Sequence, residues 1–591
     1  MKTGTQANWL RGVNAVTGKA TLIQGSVRRI SNFVYTKRGS LLTVDGTQWV
    51  SDGSFAQNDW VSAGASAPAI PVALFAANAA PAPLFPLAVT LLTSTGSWEA
   101  FDFSPVGTAR APAPIFAQPN AAPNNAWGGR VPFAPGVVPI DSLRLPQLVN
   151  VNGLVVLCPG NDGIPVWGNF FNQTQGVVGS NPAGAPVAGA AHGCLHQSFL
   201  WLWNTGSGNA AIDSPSTLRM CSIDAAGNPD VTLFPALNFA KVDPTDGTQG
   251  QGMVSFTSAE AGIAPTATLV LFKDYSTYQV TGLLQPGGGY AITRAQTDMG
   301  CVSPRSIVFA PGFGIIRLTH FGIAVFDGGS DKLISEEIRP YLFQEESDIQ
   351  AIDWTRVNLG CATTSINPPM YCLALPLPGI GGNSRIICYD LVMKQWTVVD
   401  LPPPPPNPPN KILGPILPIA TLKIPGRRAT TYMADFTPTT QAWVGQSGAG
   451  QIRKWLDGDP DWDGVAIKWM IKTPPLFSEN PTTPLYVRRT ALRARTSNVP
   501  ITGTFESDNT QFQGQTTIST YQYLNSPSLY GFGRYGTATY GNAYPDLVVP
   551  FDLGYKCWST SVRYNGTGII ELLATDWHYE MKPAGVFSRV S

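Results

Sequence analysis

The sequence predicts an all-β protein, with an irregular β-propeller that carries long loop insertions and a C-terminal β-sandwich or sheet module. Apolar runs of strand length recur along the chain and are separated by short turns. The 591 residues include 60 glycines and 52 prolines, which interrupt the chain at short intervals and favour turns. After residue 456 the runs lengthen and alternate apolar with polar residues, as strands with one buried face do. We therefore assign residues 1–456 to the propeller and residues 457–591 to a separate module.

Segments that resemble one another mark the predicted blades. Each combines an apolar strand, a turn and a strand with an aromatic residue, as in LVNVNGLVVLCPGNDGIPVW at residues 148–167. The rough anchors of these segments are Trp98, Trp167, Tyr278, Val325 and Trp396. Their spacing predicts decorated blades of about 50 to 70 residues, with a further blade near residues 199–223.

The stretch that starts at residue 298 contains the clearest blade. Its runs SIVFA, FGIIRLT, IAVF and DKLISEEI have strand length. They are separated by Pro311-Gly312, by His320-Phe321-Gly322 and by Asp327-Gly328-Gly329. Four antiparallel strands joined by tight turns form one propeller blade. These glycines and prolines therefore serve turns, and Asp327 is expected in a hairpin turn and not in a catalytic site.

Three proline-rich tracts interrupt the predicted strands. Residues 62–86 and 104–136 are rich in alanine and proline, and we expect both insertions to lie on a surface or against a neighbouring subunit. The run LPPPPPNPPN at residues 401–410 has few amide donors and is expected to be extended. A stiff loop after a blade strand is the favoured interpretation, and a peptide ligand or a channel gate are the alternatives. The residues of that candidate gate are Pro402, Pro406 and Pro409.

Two features of the C-terminal module are candidates for contacts with other molecules. The Tyr- and Gly-rich residues 521–546 look like a protruding loop that binds a partner, or else a packed aromatic loop. The candidate partner residues there are Tyr530, Tyr535 and Tyr540. The strand YVRRTALRART places Arg489, Arg493 and Arg495 on one face, which would suit the lining of a DNA passage. A solvated face or interfacial salt bridges explain the same pattern.

No catalytic signature is present in the sequence. The GxSxG, HExxH and P-loop patterns are missing, and the glycines at 287–289 lack the Lys-Ser/Thr pair that phosphate binding requires. TVDGTQW at residues 43–49 comes near a sialidase Asp-box, but it lacks one residue and does not recur, so a propeller glycosidase is a less favoured alternative. The adjacent acids Glu336-Glu337 and Glu345-Glu346 would point to opposite faces of a strand. We expect no catalytic residue and no enzyme activity.

Two clusters contain metal-ligating residue types, and neither is favoured as a metal site. His192, Cys194 and His196 lie close together, but the residues after them are strand-like. The second cluster alternates like the start of a calcium loop, with Trp462 where Gly is expected and Lys468 where Glu is expected. Its members are Asp457, Asp459, Asp461 and Asp463. An acidic connecting turn is the favoured interpretation, and no cofactor is expected.

The eight cysteines stand singly in apolar contexts, with no CxxC pair. Buried thiols are therefore favoured over disulfides or a metal site. The cysteines are Cys158, Cys194, Cys221, Cys301, Cys361, Cys372, Cys388 and Cys557.

The charge composition argues against tight, sequence-independent binding to DNA or to an acidic membrane. The 38 Lys and Arg residues equal the 38 Asp and Glu residues, whereas such binding needs many cations that displace counterions. The start of the chain lacks the apolar core of a signal peptide, and no window approaches the length of a membrane helix. We therefore expect synthesis in a cytoplasm, with assembly elsewhere, and no membrane anchor.

Five motifs follow one another along the chain. They are WLRGVN at residues 9–14, GSVRRISNFVYTKRGSLLTVDG at 25–46, MGCVSPRSIVFAPGFGIIRLTHFGIAVFDGGSDKLISEEIRPYL at 299–342, RIICYDLVMKQWTVVD at 385–400, and IRKWLDGDPDWDGVAIKWMIKTPPLF at 452–477. Together they resemble the tail nozzle proteins of short-tailed phages, also called tail tubular protein B or packaged-DNA stabilization protein. The proline-rich tracts and the Tyr/Gly-rich loop depart from the pattern of that family.

The resemblance implies a structural virion protein that is made in the host cytoplasm and assembled into the phage tail. It implies a hexameric ring at the distal end of the tail, below an adaptor ring, with tail fibres or a spike attached. Its central channel would retain the packaged genome and then conduct the DNA during ejection, as a transient and non-specific passage. The alternative function is a propeller binding module of the tail, which recognises a host receptor or anchors fibres.

Overall fold

The computed structural model confirms the all-β class. It describes the following residues: 2–7, 27–36, 40–49, 69–79, 82–92, 98–102, 145–159, 164–169, 174–187, 189–206, 211–258, 266–282, 289–346, 349–402, 416–423, 428–435, 451–456, 461–462, 465–477, 483–496, 501–507 and 547–581. In these residues helical structure is confined to short turns, which are three 3₁₀ segments, Pro304–Ser306, Glu336–Ile338 and Trp354–Leu359, and α1, Arg339–Leu342. No described helix is long and apolar enough to cross a membrane.

Five short strands form the N-terminal part of the described chain. They are β1 (Lys2–Ala7), β2 (Arg29–Ser31), β3 (Phe33–Tyr35), β4 (Leu41–Thr43) and β5 (Thr47–Trp49). β5 pairs with a propeller strand and with a short strand that follows it in the chain, as described below. β1, β2 and β4 pair with strands of the C-terminal module, and β3 pairs with β4.

The next strands form antiparallel sheets in which each strand pairs with its neighbour in the chain. Blade 1 contains β6 (Ala69–Ala79), β7 (Ala82–Leu92) and β8 (Trp98–Asp102). Blade 2 contains β9 (Gln147–Val151), β10 (Leu154–Cys158), β11 (Val166–Asn169) and β12 (Thr174–Val177). Blade 3 contains β13 (His192–His196), β14 (Phe199–Trp203), β15 (Thr217–Met220) and, after a ribbon of β16 (Ser222–Ile223) and β17 (Pro229–Asp230), β18 (Phe239–Lys241).

The later blades repeat this meander. Blade 4 contains β19 (Gly250–Ser258), β20 (Thr266–Lys273), β21 (Thr277–Gly282) and β22 (Tyr290–Arg294). Blade 5 contains β23 (Val308–Ala310), β24 (Gly314–Thr319), β25 (Gly322–Phe326) and β26 (Asp331–Leu333). Blade 6 contains β27 (Cys361–Ile366), β28 (Pro369–Pro376), β29 (Asn383–Asp390) and β30 (Gln395–Asp400). Blade 7 contains β31 (Ile416–Leu422), β32 (Thr430–Asp435) and β33 (Gln451–Trp455), and β5 pairs with β33 as its fourth strand.

The described part of the chain therefore forms a seven-bladed ring. The first strand of each blade lies beside the first strand of the next, and β31 of blade 7 lies beside β6 of blade 1. At this closure Leu74 of β6 packs against Leu422 and Tyr432 of blade 7. Between blades 1 and 2, the side-chain NH₂ of Asn150 donates to the Ala76 carbonyl at 2.9 Å. The N-terminal strand β5 completes the last blade, so strands from distant parts of the chain close the propeller.

Blade 5 confirms the four-stranded unit predicted for the stretch that starts at residue 298, with one difference. Its fourth run was expected to be a strand through residues 331–338, but β26 ends at Leu333. Residues 336–338 form a 3₁₀ turn that leads into α1. The Ser335 hydroxyl accepts a hydrogen bond from the amide of Ile323 at 2.8 Å, which ends the strand pairing at that point. Blade 3 lies where a further blade was predicted.

The Ala/Pro tract at residues 62–86 requires a correction, because its described residues are not a surface insertion. They contribute β6 and the start of β7 to blade 1, and Ala73 and Leu74 are buried. The prolines are accommodated because the register shifts beside Pro71, and because β8 pairs with β7 only from Leu87 onward. The second tract, residues 104–136, lies outside the described residues.

The C-terminal module is a sandwich of two sheets. The short strands β34 (Asp461–Trp462) and β35 (Val465–Ala466) continue the sheet of blade 7, because β34 pairs with β5. The strands of the sandwich that follow are β36 (Lys468–Lys472), β37 (Leu476–Phe477), β38 (Leu485–Thr496), β39 (Ile501–Ser507), β40 (Leu547–Cys557), β41 (Ser559–Thr567) and β42 (Ile570–Met581). One sheet has the order β3-β4-β42-β38-β40, with β1 also on β42, and the other has the order β2-β36-β41-β37, with β39 on β41. The strand pairing does not follow the predicted division at residue 456, because β1 to β4 belong to these sheets.

A single hydrophobic cluster joins the propeller to the sandwich. It combines residues of blades 5 and 6, such as Leu318 and Leu373, with Phe33, Trp469 and Leu572 from the sandwich sheets. The Phe33 and Trp469 rings meet edge to face with centroids 5.7 Å apart. The chain therefore has no solvent layer between its two β modules at this point. The eight cysteines are free thiols, and the prediction that they are buried is confirmed for all but Cys194, which is half-buried.

Candidate functional site

Asn32 connects the propeller to the sandwich through three hydrogen bonds. Its amide donates to the Val398 carbonyl of blade 6 at 2.8 Å, and its side-chain oxygen accepts from the Asp400 amide at 2.8 Å. Its side-chain NH₂ donates to the Lys468 carbonyl of β36 at 2.6 Å. Asn32 is buried and has a φ of 65°, a left-handed conformation that asparagine adopts more readily than most residues.

Asp400 extends this contact into blade 6. One carboxylate oxygen accepts from Arg385 Nε at 2.7 Å, and the other accepts from the Ser31 hydroxyl at 2.9 Å. The Arg385 guanidinium also donates to the Gln350 carbonyl and lies 5.2 Å from the centre of the Tyr341 ring. Arg385 therefore holds the carboxylate in the orientation that receives the N-terminal strand.

Tyr341 completes the set of contacts. Its hydroxyl accepts from the Ile30 amide at 3.2 Å and donates to the Ile30 carbonyl at 3.3 Å. Burial raises the pKa of Tyr341 to about 12, so the hydroxyl keeps its proton at neutral pH. We call Ser31, Asn32, Tyr341, Arg385 and Asp400 the junction network. Its hydrogen bonds fix the position of the sandwich relative to blade 6, and this is a structural role and not a proton-transfer role.

Buried cations recur in the blades, and the sequence reasoning did not identify them. They are Arg219, Lys273, Arg317, Arg385 and Arg453. Arg317 shows the arrangement most fully: its two terminal nitrogens meet the two Asp331 oxygens at 2.7 Å each, and it also donates to the Gly300 and Met299 carbonyls at 2.8 Å. A fully buried bidentate pair of this kind is saturated with partners and is a structural element of the blade.

The predicted basic face of β38 is neutralised in part by carboxylates of the adjacent strand β42. Arg493 Nε lies 2.6 Å from an Asp576 oxygen, and Arg495 lies 3.2 Å from Glu571. Arg489 is exposed on the same strand. These ion pairs lie within one sheet of the chain and are not interfacial, so the lining of a DNA passage and the interfacial salt bridges both stay predictions.

The other sequence-predicted partner and gate residues are only partly described. Pro402 directly follows Leu401 after blade 6 and is half-buried. Pro406 and Pro409 of the candidate gate lie outside the described residues, as do Tyr530, Tyr535 and Tyr540 of the candidate partner loop. Of the acidic run, Asp461 pairs with Ala466 in the short hairpin of β34 and β35, while Asp457, Asp459 and Asp463 lie outside the described residues.

His192, Cys194 and His196 lie on β13, the first strand of blade 3. His192 Nε2 contacts the Gly250 carbonyl at 3.1 Å, and His196 Nδ1 contacts the Ser255 hydroxyl at 2.9 Å. Burial raises the pKa of the Cys194 thiol to about 12 and lowers the pKa of His196 to about 4. Among the described residues no group of three metal-ligating side chains converges at this place or elsewhere.

Acidification is expected to destabilise blade 3 through His196. Its folded-state pKa of about 4 lies below its ordinary value of 6.5, so the fold favours the neutral ring. This contribution to stability is complete above pH 6.5 and is lost as the pH falls toward 4. Urea unfolding of the native protein should give a free energy of unfolding about 2 kcal/mol lower at pH 4.5 than at pH 7. In His196→Gln this difference between the two pH values should be smaller by that amount. An equal loss in the variant and the native protein would contradict this assignment.

The remaining acidic candidates are bound in local contacts. Asp327 accepts hydrogen bonds from the Gly329 and Ser330 amides at 2.9 Å each, which lowers the pKa of its carboxyl and confirms its place in a hairpin turn. Glu345 lies 2.5 Å from Arg339, and the buried Glu346 lies 3.3 Å from Arg28. Burial raises the pKa of Glu337, which stands beside Glu336 in a 3₁₀ turn and not on a strand.

Comparisons with known proteins show similarity in structure alone. No protein-family model and no curated protein matches the chain. An exo-β-1,3-galactanase from Phanerochaete chrysosporium is 10% identical, with 73% of this chain and 95% of that chain covered and a TM-score of 0.22. Regucalcin, a calcium-binding protein from Agrobacterium tumefaciens, is 11% identical, with 56% and 96% covered and a TM-score of 0.30. These values carry no inference about ligands or activity.

The prediction that this chain is not an enzyme is corrected by the same comparisons. The matched structures include the galactanase and a further glycoside hydrolase, which is 9% identical, with 97% of this chain and 100% of that chain covered and a TM-score of 0.20. Enzymes are therefore among the proteins that this chain is similar to. With TM-scores of 0.20 and 0.22, these matches assign no reaction and no catalytic residue to it.

Proposed function

We propose that the protein is a tail nozzle subunit of a short-tailed phage, which forms a homohexameric ring that retains the packaged genome and conducts DNA during ejection. One observation carries the proposal. Three of the five motifs that resemble this family supply residues of the junction network, and a fourth contacts it through the Lys468 carbonyl. Residues 25–46 supply Asn32, 299–342 supply Tyr341, 385–400 supply Arg385 and Asp400, and 452–477 supply Lys468.

This convergence supports the proposal because motifs spread over most of the chain take part in one structural unit. A likeness limited to isolated strands would leave them scattered. A subunit that must resist the pressure of packaged DNA also needs its two β modules to be rigidly connected, and the junction network together with the shared hydrophobic cluster provides that connection.

The charge distribution is compatible with the passage of DNA. The chain has no net charge, and Arg493 and Arg495 are each paired with a carboxylate. Paired cations release fewer counterions from DNA than unpaired cations do, so DNA would slide past them instead of being held. In this proposal the adaptor ring, the fibres or spike, and the DNA are the partners in the virion.

Neutralising the paired arginines tests whether β38 contacts the passing DNA. Arg493→Gln with Arg495→Gln should change the free energy of unfolding by less than about 1 kcal/mol, because the pairs are partly solvated. The salt dependence of the DNA ejection rate should become weaker. Arg294→Gln, which removes an exposed ion pair with Asp298 in blade 4, is the matched control. An ejection rate with unchanged salt dependence would remove β38 from the proposed passage.

Assembled particles test the proposed retention of the genome. Particles are assembled with and without the protein, and the DNA that becomes accessible to nuclease is measured after packaging. We expect particles that lack the protein to package DNA and then to release it, and added protein to stop the release. Full retention of the genome without the protein would contradict the proposal.

A further inference from the structure

Two neighbouring turns place three aromatic residues on one face of the propeller, and two of them are exposed while the third, His320, is half-buried. Tyr275 lies in the turn between β20 and β21 of blade 4, and His320 and Phe321 form the turn between β24 and β25 of blade 5. Both turns join the second strand of a blade to the third, so they lie on the same face. The Tyr275 and His320 rings stack with centroids 4.3 Å apart and an interplanar angle of 12°. Tyr275 and Phe321 are 51% and 49% exposed.

The turn that carries Tyr275 is held in place by its surroundings. The Lys273 amide donates to the Ser276 carbonyl at 2.9 Å, and the Cys301 amide donates to the Lys273 carbonyl at 2.8 Å. Gly300 packs so closely below it that an added Cβ would lie 2.0 Å from the Lys273 oxygen. These contacts hold the backbone at Tyr275 in place before any ligand arrives.

The turn that carries His320 and Phe321 is equally constrained. The Thr319 hydroxyl donates to the Gly322 carbonyl at 2.8 Å and accepts from the Phe321 amide at 3.2 Å. Partial burial lowers the pKa of His320, with Asp274 opposing the shift, so the ring is neutral at pH 7. Preformed rings of this kind bind a ligand without the entropy cost of ordering side chains.

Asp274 provides the polar group beside the rings. It directly precedes Tyr275, and its carboxylate is oriented by the Gln251 side chain at 2.6 Å and by the Gln249 amide at 3.3 Å. Its negative charge disfavours phosphate groups, and it offers an acceptor to hydroxyl donors. A ligand that fits must therefore combine a flat apolar face with hydroxyl groups at its edge. A pyranose ring has both, since its axial C–H bonds form one face and its hydroxyls lie around the rim.

We propose that Tyr275, His320 and Phe321, with the Asp274 carboxylate, form a binding site for a neutral hexopyranose sugar. The sugar packs its C–H face on the aromatic rings, and its hydroxyls donate to Asp274. This site is separate from the junction network and from β38, so it adds sugar recognition to the proposed nozzle role and does not depend on that role.

Titration of the native protein with cellotriose, maltotriose and mannotriose, followed by NMR of the sugar protons, tests the site. We expect at least one sugar to bind with a dissociation constant of about 1 mM, and Tyr275→Ala or Phe321→Ala to weaken binding by about tenfold or more. Val392→Ala is the matched control, because Val392 is 69% exposed in a turn between β29 and β30 on the opposite face. Since these side chains are exposed, the variants should have the same melting temperature as the native protein.

Three outcomes would overturn the inference. The first is no binding of any of the three sugars at about 10 mM, and the second is equal affinity in the native protein and the two aromatic variants. The third is that the surface formed by Tyr275, His320 and Phe321 binds another ligand and no sugar. Binding of oligo-dT, or self-association of the protein, would show this if Phe321→Ala abolishes it. Assembly of the same preparations into a hexameric ring is measured separately. Absence of sugar binding therefore leaves the nozzle proposal unaffected.

Discussion

Asp331→Ala is expected to lower the free energy of unfolding by about 3 to 5 kcal/mol. The substitution leaves Arg317 fully buried without its bidentate carboxylate, while only the carbonyls of Gly300 and Met299 and the Thr277 hydroxyl still accept from it. The guanidinium then has no charged partner to offset the cost of its burial. Urea denaturation at pH 7 measures the change.

Two further variants separate the buried charge from a loss of local packing. Asp298→Ala removes a carboxylate whose side chain is 94% exposed, and no measurable change in stability is expected. Arg317→Met combined with Asp331→Ala should be more stable than Asp331→Ala alone, because the uncompensated charge is gone. A loss below about 1 kcal/mol in Asp331→Ala would show that the pair does not hold blade 5 together.

Asn32→Ala is expected to weaken the attachment of the sandwich to the propeller, with a loss of about 2 to 4 kcal/mol. The Asp400 amide and the Lys468 carbonyl lose their partner in a buried place, and alanine is disfavoured at a φ of 65°. Thermal unfolding should therefore change from one transition to two, in which the sandwich and the propeller unfold separately.

Asn32→Gly is the matched control for this effect. Glycine adopts a positive φ without strain. The glycine variant therefore measures the loss of the two side-chain hydrogen bonds without the free-energy cost of placing alanine at a positive φ. We expect an intermediate loss of stability. Calorimetry of both variants gives the number of transitions. A single unfolding transition of Asn32→Ala, at the melting temperature of the native protein, would contradict the role of the junction network.

Local patterns were sufficient to predict individual blades. Turn residues such as Pro311-Gly312 and Asp327-Gly328 define the hairpins of blade 5, and alternating residues define the long strands of the sandwich. The tract at residues 62–86 was misinterpreted because its prolines indicate loops, whereas the register shift beside Pro71 and the partial pairing of β7 accommodate them. Tertiary packing here outweighs local preference.

The junction network could not be predicted from local sequence. Asn32 and Asp400 are 368 residues apart, and a single asparagine in ISNFVY carries no sign of its partners. The buried arginines also escape pattern reading, because an alternating strand that contains Arg317 looks the same whether the arginine faces solvent or a buried carboxylate. For Arg493 and Arg495, spacing identified a shared face, and only the structure shows their partners on β42.

End-on electron microscopy of the purified protein tests the central proposal most directly. If the chain is a nozzle subunit, two-dimensional class averages will show a closed ring with sixfold symmetry and an open central channel. The orientation of the sandwich relative to the propeller will be the same in every subunit. Lone monomers at all concentrations, or a trimeric spike without a channel, would contradict the proposal.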